Sequence, residues 1–285
     1  MKLTPEQKAS FEYGFEKGRL RMAIDTIRRR AWERHGARYG EVVFPVRELV
    51  WNEFNIKGII ACVRCARTAL PAALVTVVDD SAAPVPENVR RAFLAYGARY
   101  RQSSFPRNGN LRGPECVRGI ISTLAGGAAD DDIVVKIDSD TALLSGGWIE
   151  SMPGAALDWY SCGYGVREAH GLAYAMSGRA ARLADAVLQE RDLLPLAPED
   201  LTIARIVFDL CGDDRVRLVS PWTPSNRAGR WSWWNWDSVT TDPEDYARSY
   251  DVVSVGNPRP PHIPQSSRWE VMHALCDARL NLNNQ

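Results

Sequence analysis

The sequence has no excess of charge of either sign. Its 35 Lys and Arg are matched by 35 Asp and Glu, so no global field draws the chain onto nucleic acid or an anionic membrane, although a local patch could. No apolar run approaches the ~20 residues that span a bilayer, and the opening MKLTPEQKASFEYGF lacks the apolar core of a secretory signal. The expectation is a soluble, cytoplasmic protein. There is no internal repeat. Cysteine is sparse: six residues scattered along 285 fit reduced, buried thiols better than a disulfide scaffold. Cys62 and Cys65 have the C-x-x-C form, but no second pair matches them for zinc and Cys62 closes an apolar run, so packing is the favoured reading over redox or metal roles.

What is present is a hydrophobic content of 45%, enough for a substantial core in one large domain or two small ones. Residues 1–40 carry ten Lys and Arg against five Asp and Glu. Thr4-Pro-Glu-Gln7 has the form of a capping box, and Phe11, Phe15, Ile24 and Ile27 recur near helical spacing, so residues 1–40 read as a helical extension. Its Arg28-Arg29-Arg30 run, with Arg34 and Arg38, could grip a phosphate backbone or form an ordinary solvated face. Strands are expected over 59–63, 74–78, 100–104, 133–137, 171–177, 215–219 and 250–255. Helices are expected over 86–96, 115–124, 179–189 with Leu183, Val187 and Leu188 inward, 201–210 with an apolar face at 201, 203, 206, 207 and 210, and 267–280. This alternation predicts one α/β domain over 41–256, a central mixed, mostly parallel sheet flanked by helices. Residues 257–285, a Pro-rich segment and a helix, would pack on it.

The chemistry gathers at the ends of the predicted strands. Ile133-Val-Val-Lys-Ile137 is a nearly uninterrupted β-branched run that stops at Asp138-Ser-Asp140. Two residues apart, these aspartates project from one side of the chain and present hard oxygen ligands suited to Mg²⁺ or Mn²⁺ with substrate phosphates; the alternative is a solvated acidic turn. Asp79 and Asp80 follow the strand at 74–78, and Arg64 follows the one at 59–63, where an open α/β sheet meets its ligand. Arg107 and Arg112 lie in a Gly- and Asn-rich loop before a helix, a natural anion site. Glu199-Asp200 opens the helix at 201–210, as a cap or as chemistry. Trp222, Trp231, Trp233, Trp234 and Trp236 lie among Ser, Asn, Arg and Gly, which reads as a loop able to stack on sugars or bases, or a lid packed on the core.

Over residues 55–220 this order of strand-end acid, D-x-D, a Gly171-Leu-Ala-Tyr-Ala-Met-Ser segment and Glu-Asp before a helix resembles a nucleotide-sugar-dependent glycosyltransferase of the GT-A fold. The resemblance implies that Asp138 and Asp140 hold a Mn²⁺ or Mg²⁺ and meet the ribose and diphosphate of a nucleoside-diphosphate-sugar donor. Asp79 or Asp80 would contact the base, and Arg107 or Arg112 the phosphate or sugar. Asp200 would be the general base in an inverting displacement by an acceptor hydroxyl. The family often adds a late histidine as metal ligand; His262 is better placed for this than His273. Glu199, Trp231, Trp233 and Trp234 would face the acceptor. A glycan, a small molecule or a modified base in DNA could be that acceptor, the neutral overall charge counting against DNA. Two other classes stand beside this one: a nucleotidyltransferase using the same carboxylates and metal, and a carbohydrate-binding protein using the tryptophans without turnover.

Overall fold

The computed structural model describes residues 21–23, 38–46, 53–79, 84–105, 111–164, 167–219, 230–236, 242–256, 262–264 and 267–283. In chain order the elements are β1 (Arg21–Ala23), β2 (Arg38–Val46), α1 (Glu53–Ala69), β3 (Leu74–Asp79), α2 (Glu87–Ala95), β4 (Arg99–Gln102), α3 (Pro114–Ala125), β5 (Asp132–Asp138), β6 (Thr141–Leu143) and the single turn α4 (Gly147–Glu150). They continue with β7 (Trp159–Tyr164), β8 (Glu168–Ser177), α5 (Gly178–Glu190), α6 (Glu199–Cys211), β9 (Val216–Val219), β10 (Trp231–Trp233), α7 (Pro243–Ser249), β11 (Val252–Ser254) and α8 (Ser267–Leu282). Among the described residues no helix is long and apolar enough to cross a membrane.

This is a mixed α/β fold. An eight-stranded sheet runs β4-β3-β2-β1-β5-β8-β7-β9, and a three-stranded sheet runs β10-β11-β6. In the large sheet β4, β3, β2 and β5 are mutually parallel, β8 is antiparallel to β5 and β7, and β9 is parallel to β7. The chain therefore builds outward from β2 to β4 and then returns to lay β5 on the other side of β2. The carboxyl ends of β2 and β5 flank that reversal, the place where open α/β sheets take their ligands.

Residues 21–23, expected within a helical extension, are instead a strand. β2 and β5 pair directly only at Arg38↔Asp132 and Tyr39↔Ile133. Beyond that point they diverge, and β1 fills the gap antiparallel to both, with Ala23↔Val43 on one side and Arg21↔Asp138 on the other. Backbone groups that divergence would leave unpaired are thereby satisfied. The proposed capping box, Phe11, Phe15 and the Arg28-Arg29-Arg30 run lie outside the described residues.

β5 is buried along its whole length, and its alternation divides two cores. Ile133, Val135 and Ile137 join the core beneath α1, α8 and the small sheet, whereas Val134 joins the core formed with α3, α5 and α6. Residues 59–63 form part of α1, not a strand. Ile59, Cys62, Val63, Ala66 and Leu70 are all buried at helical spacing, and a five-residue window of apolar residues cannot distinguish that from a buried strand. Cys62 and Cys65 donate to the carbonyls of Thr141 and Leu143 at 3.0 and 3.2 Å, and burial pushes the Cys62 thiol up, away from reactive thiolate. Leu183 and Leu210, expected inward, are exposed; Ala180, Ala181, Ala184 and Leu188 form the inner face of α5, and Ile203, Ile206 and Val207 that of α6.

Candidate active site

Lys136 sits at the centre of the acidic strand end. It is 0% exposed and shares a face of β5 with Asp138, toward β8 and α6. Its Nζ donates to Asp138 Oδ1 at 2.7 Å and to the Gly171 carbonyl at 2.5 Å, and lies 3.6 Å from Glu199 Oε2. Tyr174, opposite Lys136 in the β5–β8 register, donates its hydroxyl to Glu199 Oε1 at 2.5 Å. A buried ammonium is tolerated only with partners of this kind.

Glu199 and Asp200 occupy the first turn of α6 after Pro198, where the helix dipole favours acids. The two diverge. Glu199 is 0% exposed and turned toward Lys136 and Tyr174, while Asp200 keeps 6% exposure. Its carboxylate lies against Gly171: a Cβ there would come within 2.4 Å of Asp200 Oδ2, so only glycine allows the approach. Asp200 Oδ1 accepts the Leu201 N–H at 2.9 Å.

Asp140 lies in the turn from β5 to β6. Its carbonyl accepts the Val255 N–H at 2.8 Å and the Ser254 hydroxyl at 3.3 Å, which fixes the turn to β11. A Cβ at Gly256 would stand 2.3 Å from Asp140 Oδ2, and the buried Arg268 at the start of α8 reaches within 4.0 Å of the same oxygen. The Ser139 hydroxyl between the two aspartates is buried and has no hydrogen-bond partner among the described residues.

Among the described residues, four buried carboxylates (Asp138, Asp140, Glu199, Asp200) and two buried cations (Lys136, Arg268) occupy this end of the sheet. The oxygen-only donor set at Asp138 and Asp140 fits a hard divalent cation that keeps waters and substrate phosphates as further ligands, the usual habit of Mg²⁺. It does not form an all-protein cage. Among the described residues no three His, Cys, Asp or Glu side chains gather into a metal-binding group, and His262 is exposed.

The other expected site residues fall differently. Asp79, at the end of β3, is buried, and its Oδ2 accepts the Val85 N–H at 2.7 Å and the Tyr100 hydroxyl, so it ties down the connection to α2. Asp80, Arg107 and Trp222 lie outside the described residues. The backbone of Arg112 lies beside the site: it forms an antiparallel bridge with that of Pro198, and the Leu111 carbonyl accepts the Glu199 N–H at 3.2 Å. Arg64 is on α1, not at a strand end, 3.7 Å from Asp277 and over the ring of Tyr96. Glu199, expected to face an acceptor, is enclosed by Lys136 and Tyr174. Trp231, Trp234 and Trp236 are core residues, Trp231 packing 4.7 Å from Trp148, because residues 231–233 form a strand parallel to β11 rather than a loop. Trp233 alone of the three expected acceptor tryptophans is half-buried, its ring 5.1 Å from that of His170, the neighbour of Gly171.

Sequence reasoning passed over Lys136, Gly171, Gly256 and Arg268. Lys136 carried a signal: a charge inside a buried strand, two residues before Asp138, must share its face. A cavity of about 520 Å³ between β4 and α3, lined by Arg101, Phe105, Arg118 and Ser122, touches none of these carboxylates. The chemistry lies with the acids, not with that hollow.

No family model matches the chain, and no curated protein matches it. Among solved structures it is similar to the apo structure of the WbbM bifunctional glycosyltransferase, with 13% identity over 85% of this chain and 50% of that one and a TM-score of 0.46. The chain spans half the length of that structure, and the likeness is too slight to carry an argument about fold or function.

Proposed function

We propose that the chain is an inverting glycosyltransferase of the GT-A type, moving a sugar from a nucleoside-diphosphate sugar to a hydroxyl acceptor. The observation that carries this reading is the meeting of two acid sets beside the reversal of strand order: Asp138 and Asp140 from the end of β5, and Asp200 from the start of α6, joined through Lys136 and Gly171. Asp138 and Asp140 would hold Mn²⁺ or Mg²⁺ and the donor. Bound, that ion supplies positive charge against the leaving diphosphate. Asp200, the acid of the α6 pair that keeps some exposure, takes the proton of the acceptor hydroxyl as its oxygen bonds to the anomeric carbon and the bond to the diphosphate oxygen breaks. A single displacement inverts the anomeric centre. Arg112, whose backbone pairs with Pro198 before the same helix, would meet negative charge on the donor.

The test is a screen of the full chain against nucleoside-diphosphate sugars with and without Mn²⁺, reading thermal shift and release of nucleoside diphosphate. Stabilisation by one donor, strengthened by Mn²⁺, with slow donor hydrolysis, is the expected result. Absence of any shift with every donor overturns the reading, and pyrophosphate release from a nucleoside triphosphate replaces it with nucleotidyl transfer.

A further inference from the structure

We infer that Lys136 is a positioning residue that registers the donor-side acid Asp138 against the helix start carrying Asp200; this inference rests on the sugar-transfer reading above. One ammonium has three N–H donors, and three elements converge on this one. β5 supplies Asp138 Oδ1 at 2.7 Å, β8 supplies the Gly171 carbonyl at 2.5 Å, and α6 supplies Glu199 Oε2 at 3.6 Å, an ion pair rather than a hydrogen bond. Tyr174 also faces it, its ring 5.4 Å from Nζ and its hydroxyl on the far oxygen of Glu199, and Asp200 packs on the glycine whose carbonyl Lys136 contacts.

Two short paths run from Lys136 to Asp200. Glu199 is its covalent neighbour, so whatever fixes Glu199 fixes the first turn of α6. Gly171 is its packing neighbour, in contact closer than a Cβ would allow, and the carbonyl of that same glycine accepts from Lys136. A methionine of similar length would fill the space but leave Asp138 and Glu199 buried without the cation between them, and carboxylates so placed move apart or take up water. Lys136 touches no reacting atom in this scheme. It sets the distance between the two groups that do.

The experiment compares wild type with Lys136→Met and, as a milder isosteric change, Glu199→Gln, all as the full chain. Turnover of the donor found by screening should fall about 100-fold in kcat, as a misplacement near 1 Å costs, while KM for the donor stays within about threefold. Amide exchange should quicken roughly tenfold or more over residues 200–203 and 139–141, with α3 and α5 unchanged. If Lys136→Met does not fold, Glu199→Gln must show the same kcat loss and the same localised exchange. A folded variant that keeps kcat within about twofold overturns the inference, as does unchanged exchange at the start of α6. A wild type that transfers sugar from no donor rejects the sugar-transfer reading instead, and the exchange comparison still decides whether Lys136 couples the two segments.

Discussion

At its Ser177 end, β8 meets one buried carboxylate surrounded by cations; at Gly171 it meets the buried Lys136 and the carboxylate of Asp200. Asp158, just before β7, accepts from Arg179 Nη2 at 2.6 Å, from Arg215 Nε and from the Ser177 hydroxyl. Its backbone is tied in as well, the Asp158 N–H donating to the Arg215 carbonyl at 2.7 Å. Everything there is matched, and the cluster binds the sheet to the start of α5. At the other end, among the described residues, the buried acids Asp138, Asp140, Glu199 and Asp200 are spread over β5, the turn after it and α6, with the buried cations Lys136 and Arg268 beside them. Buried charges need compensating partners, and a bound cation can be one of them. The lesson is that a buried acid is not by itself a site; Asp158 is as buried as Glu199.

Asp200→Asn tests the contrast most sharply. It keeps an oxygen for the Leu201 N–H but removes the base, and kcat should fall about 100- to 10,000-fold while donor-induced thermal shift persists. Loss of donor binding together with activity would mark Asp200 as a binding group. Gly171→Ala comes next: its Cβ would intrude to 2.4 Å from Asp200 Oδ2, so the carboxylate must move, and about a 100-fold fall in kcat is expected. Unchanged turnover in a folded Gly171→Ala protein would show that the position of Asp200 is not critical.

Much of this arrangement is legible in the amino-acid sequence. The β-branched run ending at Asp138 and the acids before an apolar-period helix have local causes, and β5 and α6 appear where those patterns lie. What is hidden depends on partners distant in sequence. Lys136 stands out as a charge in a buried strand, but nothing in its surroundings announces Glu199. Residues 59–63 mislead because an uninterrupted apolar run satisfies strand and buried helix alike until its wider spacing is read. The tryptophans mislead in the other direction. Polar neighbours suggest a loop, yet Trp231 pairs with Val252 and enters the core, since burial of an indole outweighs local turn preference.

At the saturated end the effects should be on stability alone. Burial by itself would raise the pKa of Asp158; hydrogen bonds from Arg215 and Ser177, then Arg179, more than offset this and hold it below the usual carboxylate range. A depressed folded pKa stabilises above the unfolded value of about 3.9 and ceases to do so as pH falls through the folded one. Asp158→Asn should therefore cost about 2 kcal/mol in urea unfolding at pH 7 with kcat intact, and the gap to wild type should narrow only below about pH 4. A gap that widened with acid would have the wrong sign.

Ser177→Ala should produce the smallest change. Ser177 caps α5, its Oγ accepting the Ala180 N–H at 3.0 Å, and its hydroxyl proton goes to Asp158. One hydroxyl thus joins a helix start to the ion cluster, and its removal should cost about 1 kcal/mol. Because both guanidiniums remain on Asp158, the acid dependence should survive in Ser177→Ala and vanish only in Asp158→Asn. If Ser177→Ala instead lowered kcat with stability preserved, the two ends of β8 would be coupled through the strand, and the division between a structural end and a reactive one would fail.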